Sequence, residues 1–161
     1  MQVKIKKLHP KAVIPQRHSD LAAGWDVVAT EIELERIISL DDNIAICKLG
    51  FSLQPPANYR VVLIPRSSIT NSYWVMQNSP GCGDPDYTGE YMMKFKCLPI
   101  DVELNHDSSS AMLNYEDFPY KVGDRIGQLF LQEIIHIEFE EVDELNSTER
   151  GEGGFGSTND N

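Results

Sequence analysis

Gly81-Cys82-Gly83-Asp84-Pro85-Asp86-Tyr87-Thr88-Gly89-Glu90 decides how this chain is read. Glycines bracket the stretch, two carboxylates stand two residues apart, and a tyrosine follows them. Extended, β-prone sequence flanks it on both sides, so the segment predicts a hairpin. Its open backbone could meet a flat polar ligand while a carboxylate waits beside it. Acidic residues in Gly-rich turns are common, so the rest of the chain must supply the weight.

Outward from the hairpin the pattern stays β. Val3 and Ile5 alternate with Lys4 and Lys6, as in a strand with one wet face. Ile44-Ala45-Ile46-Cys47 and Tyr59-Arg60-Val61-Val62-Leu63-Ile64 are short β-branched runs bounded by Gly, Pro or Asn. Gln128 to Ile137 predicts a long strand, continued by Phe139 and Val142 with acidic residues between. Turn signals recur at Pro55-Pro56, Gly81, Gly83, Gly89 and Gly123-Asp124. Many short strands with regular turns predict a mainly β barrel or jelly roll. One segment reads as a helix, from Ser67-Ser68 through Ile69, Tyr73, Trp74 and Met76, with the serines capping its first amides. Residues 101–120 hold a Ser-rich polar patch and read as a surface loop. The Gly, Ser and Thr-rich tail from Asn146 is expected to be mobile without a ligand. There is no internal repeat. The expected division is a barrel domain over 1–145 and a C-terminal arm over 146–161.

With 161 residues the chain fits one domain with a real core. No apolar run approaches the roughly 20 residues of a membrane span, and the N-terminus lacks an apolar signal core. A location in the cytoplasm, or in the nucleotide-synthesising compartment of a host cell, is expected. Cys47, Cys82 and Cys97 form no CxxC pair and leave an odd count, so free thiols fit best. A net charge of −11 argues against a general nucleic-acid binder. It leaves room for a small anionic ligand that meets a local basic cluster, a metal ion, or both.

Five motifs stand in order along the chain. They are Ala23-Gly24-Trp25-Asp26, Pro65-Arg66-Ser67-Ser68, residues 81–90, Gly123-Asp124-Arg125-Ile126-Gly127-Gln128-Leu129, and Arg150-Gly151-Glu152-Gly153-Gly154-Phe155-Gly156-Ser157-Thr158. Together they resemble the motifs of the homotrimeric dUTP diphosphatase (dUTPase) family, across nearly the whole chain. The resemblance implies a distorted jelly-roll β-barrel with one short helix and a flexible C-terminal tail. It also implies hydrolysis of dUTP to dUMP and pyrophosphate, with Mg²⁺, at sites built from three subunits.

Uracil presents one N–H donor between two carbonyl acceptors, an edge that a strand pair can complement with backbone alone. The resemblance assigns this reading to the backbone around Gly81, Cys82 and Gly83 and to the returning strand near Met92, with Asn78 helping to hold the base. Asp84 matches the family's catalytic aspartate; Asp86 is the competing carboxylate and by position more plausibly holds the turn. A carboxylate activates or orients water only within hydrogen-bond reach. Phosphoryl-type transfer rests on positioning and charge neutralisation, so one base with a cluster of donors suffices. Asp84 is also expected to meet the sugar 3′-hydroxyl, and Tyr87 to pack flat under the deoxyribose, excluding a 2′-hydroxyl.

On the phosphate side, Arg66, Ser67 and Ser68 open the predicted helix, whose N-terminal amides favour an anion. The Gln128 amide can donate to a phosphate oxygen. Asp124 and Arg125 read as an ion pair or turn rather than substrate contacts. Asp26 matches a family aspartate associated with Mg²⁺ through water, consistent with an ion that keeps several waters and takes ligands from phosphates. His9, His18, His106 and His136 are isolated, and no zinc ligand set is present. In the tail, Arg150 offers a planar fork for the terminal phosphate. Phe155 would stack on the uracil, worth about 1–3 kcal/mol, while Gly156 and Ser157 wrap the triphosphate. Closure of such a tail would exclude water.

The chain departs from the family pattern at several points. Ser68 and Asn159 stand where glycines are usual, Thr88 replaces an arginine, and Trp25 replaces a smaller aromatic. Gly83 stands where a branched apolar residue is usual and could loosen the hairpin. The stretch between the third and fourth motifs is longer than usual. Two other functions compete: a dCTP deaminase-like enzyme, which often carries Arg-Ser-Ser at the second motif, and a non-catalytic dUTP-binding regulator.

Overall fold

The structure is a computed structural model and describes residues 1–37, 42–98 and 117–153. Ten strands occur among these residues, all paired antiparallel. β1 (Lys4–Lys7) pairs with β5 (Phe51–Gln54). A second sheet runs β2 (Trp25–Val28), β10 (Arg125–Glu133), β6 (Tyr59–Pro65), β8 (Gly81–Gly83). A third runs β3 (Glu31–Ile37), β4 (Asp42–Lys48), β9 (Met92–Cys97), β7 (Trp74–Met76). Strands distant in sequence lie side by side, as the jelly-roll expectation requires.

Period-two patterning builds the core between these sheets. In β9, Met93, Phe95 and Cys97 are fully buried while Met92, Lys94 and Lys96 face outward or toward the edge. Val61 and Leu63 of β6 join the same cluster with Val27 and Phe51. Each such side chain contributes about 1.5–3 kcal/mol by leaving water. Trp74 and Phe118 meet edge to face at 4.9 Å, and Phe118 also packs on Phe95 and Tyr120. This aromatic cluster anchors the chain where it rejoins the body before β10. Most of the Ser-rich stretch 101–120 lies outside the described residues.

Two elements differ from the sequence expectation. The helix predicted from Ser67 to Met76 is a 3-10 turn over Ser67–Asn71. Ser72 ends it, donating its amide and hydroxyl to the Ile69 carbonyl, and its Oγ accepts from the Trp74 amide. Trp74–Met76 then pairs with β9 as a strand, where an aromatic and a β-branched residue fit a pleated edge. The serines do not cap this turn: Arg66 occupies the cap position without a side-chain bond. Ser68 Oγ bonds the Tyr120 hydroxyl at 2.9 Å instead. The second difference is at β10, which begins at Arg125 and ends at Glu133 rather than running from Gln128 to Ile137. Its partner β6 begins at Tyr59, opposite Glu133, so the sheet offers nothing further to pair with. Ile134 makes one more bond, to the Asn58 carbonyl, and the chain leaves the sheet.

No helix among the described residues is long and apolar enough to cross a membrane. Cys47, Cys82 and Cys97 form no disulfide with one another, and the first and last are buried.

Candidate active site

The stretch 81–90 reverses the chain and walls a cleft of about 210 Å³, but it is not a paired hairpin: β8 pairs with β6, while β9 pairs with β4 and β7 in the other sheet. Asn78, Gly81, Cys82, Gly83, Asp84, Tyr87 and Met92, all singled out in the sequence, line this one space. Among the described residues β8 pairs with β6 alone, Val61 opposite Gly83 and Leu63 opposite Gly81. Its other edge is therefore open along the cleft, and unpaired strand-edge amides and carbonyls are ready partners for a planar polar edge. After β8 the chain reverses over Asp84-Pro85-Asp86-Tyr87, closed by the Tyr87 amide donating to the Asp84 carbonyl at 3.1 Å. Proline sits at the second turn position, where its fixed φ is favourable. Asp84 faces solvent at the cleft, whereas Asp86 lines a separate depression with Lys4 and Gln54. The Tyr87 hydroxyl donates to the Glu90 carbonyl at 2.9 Å, which fixes the ring across the mouth of the reversal.

Two residues outside the motif's obvious chemistry hold this cleft. Arg60 donates twice to Gln132 Oε1, at 3.0 and 2.7 Å, and reaches Cys82 Sγ at 3.7 Å, tying β8 to β6 and β10. Tyr91 fills the space behind Gly83: a Cβ built at Gly83 would lie 2.4 Å from the Tyr91 hydroxyl. Gly83 therefore does not leave a void, because Tyr91, just before β9, supplies the bulk its own position lacks. A sequence signal existed in the missing side chain at 83 and the large one at 91, but only the packing of the folded chain brings the two together.

A second cluster gathers the first, second and fourth motifs. Asp26, Gln128 and Ile64 are aligned across β2, β10 and β6. The register shifts between Arg125 and Gly127, a bulge that re-aims the side chain. Arg125 Nη1 donates to Asp26 Oδ2 at 3.0 Å and Gln128 Nε2 donates to Oδ1 at 3.3 Å. Arg125 thus pairs with Asp26, not with Asp124, whose carboxylate accepts the Lys121 amide in a turn. His18 Nδ1 stands 3.4 Å from Arg125 Nη1, at the surface end of the cluster. Arg66 joins through Nη1 to the Arg125 carbonyl at 3.4 Å, with Ser67 and Ser68 following it. Gly127 is required here: a Cβ would sit 2.8 Å from the Ile64 carbonyl oxygen. The 3-10 turn is too short for a strong helix dipole, so an anion here would rely on Arg66, the hydroxyls and the Gln128 amide.

The two clusters are separate within one chain. Asp26 on β2 and the residues of β8 stand at opposite edges of one sheet, three strand spacings or roughly 14 Å apart, while Arg66 follows the end of β6 away from Asp84, roughly 20 Å along the strand direction. The tail joins neither among the described residues: Arg150 Nε donates to the Gly153 carbonyl at 2.7 Å in an exposed turn. Phe155, Gly156, Ser157 and Thr158 lie outside the described residues.

An antiparallel jelly roll with an open-edged cleft, a carboxylate at its mouth and a separate arginine, serine and glutamine cluster defines a mainly β protein with a polar surface site. The family model described as dUTPase matches residues 10–159, and the chain belongs to that family. The deoxyuridine 5′-triphosphate nucleotidohydrolase of Helicobacter pylori strain 26695 is 36% identical, over 98% of this chain and 97% of its own length. The protein of the same description from Crocosphaera subtropica is 33% identical over 98% of this chain and 99% of its own. Among solved structures, the dUTPase of Staphylococcus bacteriophage 80alpha, determined as a mutant with dUpNHpp, superposes with a TM-score of 0.72 at 23% identity. That match covers 98% of both chains and supports the fold. A phage phi11 dUTPase described with a structural Mg(II) ion matches with a TM-score of 0.69 at 20% identity, over 91% of this chain and all of its own.

Proposed function

We propose that the chain hydrolyses dUTP to dUMP and pyrophosphate by attack of a water on the α-phosphorus. The observation that carries this is the cleft itself, with strand-edge backbone along a planar slot and Asp84 at its mouth. Gly81 to Gly83 and the Met92 strand present main-chain donors and acceptors to the uracil edge, and Asn78 steadies the base. Asp84 orients the water and takes up its proton. Tyr87, anchored on the Glu90 carbonyl, forms the sugar floor.

Arg66, Ser67, Ser68 and Gln128 receive the phosphates. They are distant from Asp84 within one chain, so the reading places them on a neighbouring subunit of a homotrimer with shared sites. The arm after β10 supports this. Ile135, Ile137 and Phe139 are 81%, 65% and 92% exposed in a segment outside any strand, with His136 and Glu138 between them and Glu140 and Glu141 following. β1 carries Lys4, Lys6 and Lys7 beside an apolar groove of about 300 Å³ lined by Val3, Ile5 and Leu131. An acidic, alternating strand from a second copy suits that basic edge. The segment over 146–161 then acts as a closing arm, with Arg150 on the terminal phosphate and Phe155, Gly156 and Ser157 over the base and phosphates.

Mg²⁺ fits this arrangement as an ion carried mainly by the phosphates. Among the described residues no group of three or more His, Cys, Asp or Glu could hold a metal alone. Asp26 is engaged with Arg125 and Gln128 but retains acceptor capacity toward a metal-bound water. When bound, the ion would neutralise charge developing on the phosphate oxygens.

Pyrophosphate release measured over dUTP, UTP, dTTP and dCTP, with and without Mg²⁺, tests the function. Selective Mg²⁺-stimulated release from dUTP is expected. Ammonia from dCTP, or dUTP binding without turnover, would replace the reading with a deaminase or a regulatory binder.

A further inference from the structure

The turn over 84–90 joins strands of different sheets, so no ladder pairs its two ends. Two hydrogen bonds close it locally, the Tyr87 amide on the Asp84 carbonyl and the Tyr87 hydroxyl on the Glu90 carbonyl. Among the described residues a single hydrogen bond carries it to the body of the protein. Glu90 Oε1 accepts the Gly50 amide at 3.0 Å, 40 residues away in the chain.

The far end of that bond is a fixed point. Gly50 is buried with a φ of +71°, and its carbonyl accepts the Leu8 and His9 amides at 2.7 and 3.1 Å. A Cβ there would lie 2.9 Å from Thr30 Cγ2 and 3.0 Å from His9 Cβ, so neighbours pack closely on it. A buried amide at such a point needs an acceptor, and the Glu90 carboxylate supplies it. At the near end, Glu90 lines the cleft with Asp84 and Tyr87. Its carbonyl holds the Tyr87 phenol, so the residue grips the ring with its main chain and the body with its side chain. Tyr87 is 44% exposed and meets one other ring, Tyr91, edge-on at 5.4 Å. Packing on one side leaves the tilt of the ring to its bond with Glu90.

We propose that Glu90 is a positioning residue for sugar discrimination. By clamping the 84–90 turn to the Gly50 amide, its side chain holds the Tyr87 ring where it admits a deoxyribose and excludes a 2′-hydroxyl. This rests on the function proposed above, with Tyr87 as the sugar floor. Glu90 acts through its reach and its acceptor oxygen, not through its charge, and touches no reacting atom.

The test measures kcat/KM for dUTP and for UTP in wild type, Glu90→Gln, Glu90→Asp and Glu90→Ala, each well below its melting temperature. Glutamine keeps the length and one acceptor oxygen, so Glu90→Gln should hold the dUTP-to-UTP ratio within about twofold of wild type. Aspartate keeps the charge but falls one methylene short, and alanine has no acceptor. Both are expected to lower the ratio about tenfold. In the ligand-free protein the Gly50 amide should exchange with D2O faster in these two variants and not in Glu90→Gln. An unchanged ratio in Glu90→Ala overturns the proposal, because a merely structural clamp would lower the melting temperature without moving selectivity. A ratio lost in Glu90→Gln but kept in Glu90→Asp overturns it too, since charge would then be what matters. If wild type does not hydrolyse dUTP, the functional reading falls and takes this role with it; if it does and the ratio stays put, only the role of Glu90 fails.

Discussion

The buried Asp26 carboxylate accepts from Arg125 Nη1 at 3.0 Å, joining the first motif to the fourth across adjacent strands. Arg125 is nearly half exposed, so the pair is only partly shielded from solvent. Removing the charge at Asp26 while keeping its shape should leave one acceptor oxygen for two donors, so that Arg125 and Gln128 cannot both be satisfied. Asp26→Asn is expected to lower stability by about 1–3 kcal/mol. Under the proposed function it should also raise the Mg²⁺ concentration needed for half-maximal turnover. Thermal melting and a metal titration of pyrophosphate release measure the two effects.

Asp84→Asn preserves the size and much of the polarity of the side chain but removes the base. Turnover of dUTP should fall by about 10²–10⁴-fold, with calorimetric dUTP affinity kept within a few-fold. Loss of binding together with turnover would contradict the assigned role.

Truncation before Arg150 removes residues that make local contacts alone among the described residues. Turnover should drop far more than the melting temperature. A strongly altered melting curve would instead make the tail a structural element.

Phe139→Glu places a charge on the exposed apolar face of the arm. In the trimeric reading this should shift the protein toward monomer in sedimentation velocity and abolish turnover, since the two clusters would no longer meet. An unchanged sedimentation coefficient would mean that this face does not join subunits.

The Cys47 thiol is fully buried, and burial pushes it up to about 12 from its ordinary value near 9.0. The folded state therefore keeps its proton where the unfolded chain loses it. The stabilising contribution is complete below about pH 9 and is lost progressively as pH rises toward 12. Melting temperature should fall across that window. Cys47→Ala should start lower, because of the cavity, but decline less steeply.

The strands were legible where β-branched residues run together between turn signals, as in Tyr59 to Ile64, and the reversal at 81–90 was legible because glycine and a turn sequence coincide there, whereas the pairing of its two flanking strands in different sheets was not. The helix expected at Ser67 failed because Tyr73, Trp74 and Val75 serve equally well as an edge strand once β9 lies beside them. Local pattern could not reveal that neighbour. The same limit hid the Asp26 and Arg125 pair, since 99 residues separate them in the chain. Tyr91 was invisible for a related reason: its importance comes from standing behind a glycine on another strand. The residues of the cleft, in contrast, were nearly all readable, because they lie within one contiguous motif.

The alignment of Asp26, Gln128 and Ile64 across three neighbouring strands turns the sheet into a ruler. Their separation is fixed by inter-strand spacing rather than by the length of chain between them. The long connection between the third and fourth motifs is tethered on one side by the Leu98 amide on the Tyr73 carbonyl and on the other by Phe118 against Trp74. Insertions between those tethers do not alter the ruler's graduations. Sequence added between the two tethers is therefore expected to leave the spacing of Asp26, Gln128 and Ile64 unchanged.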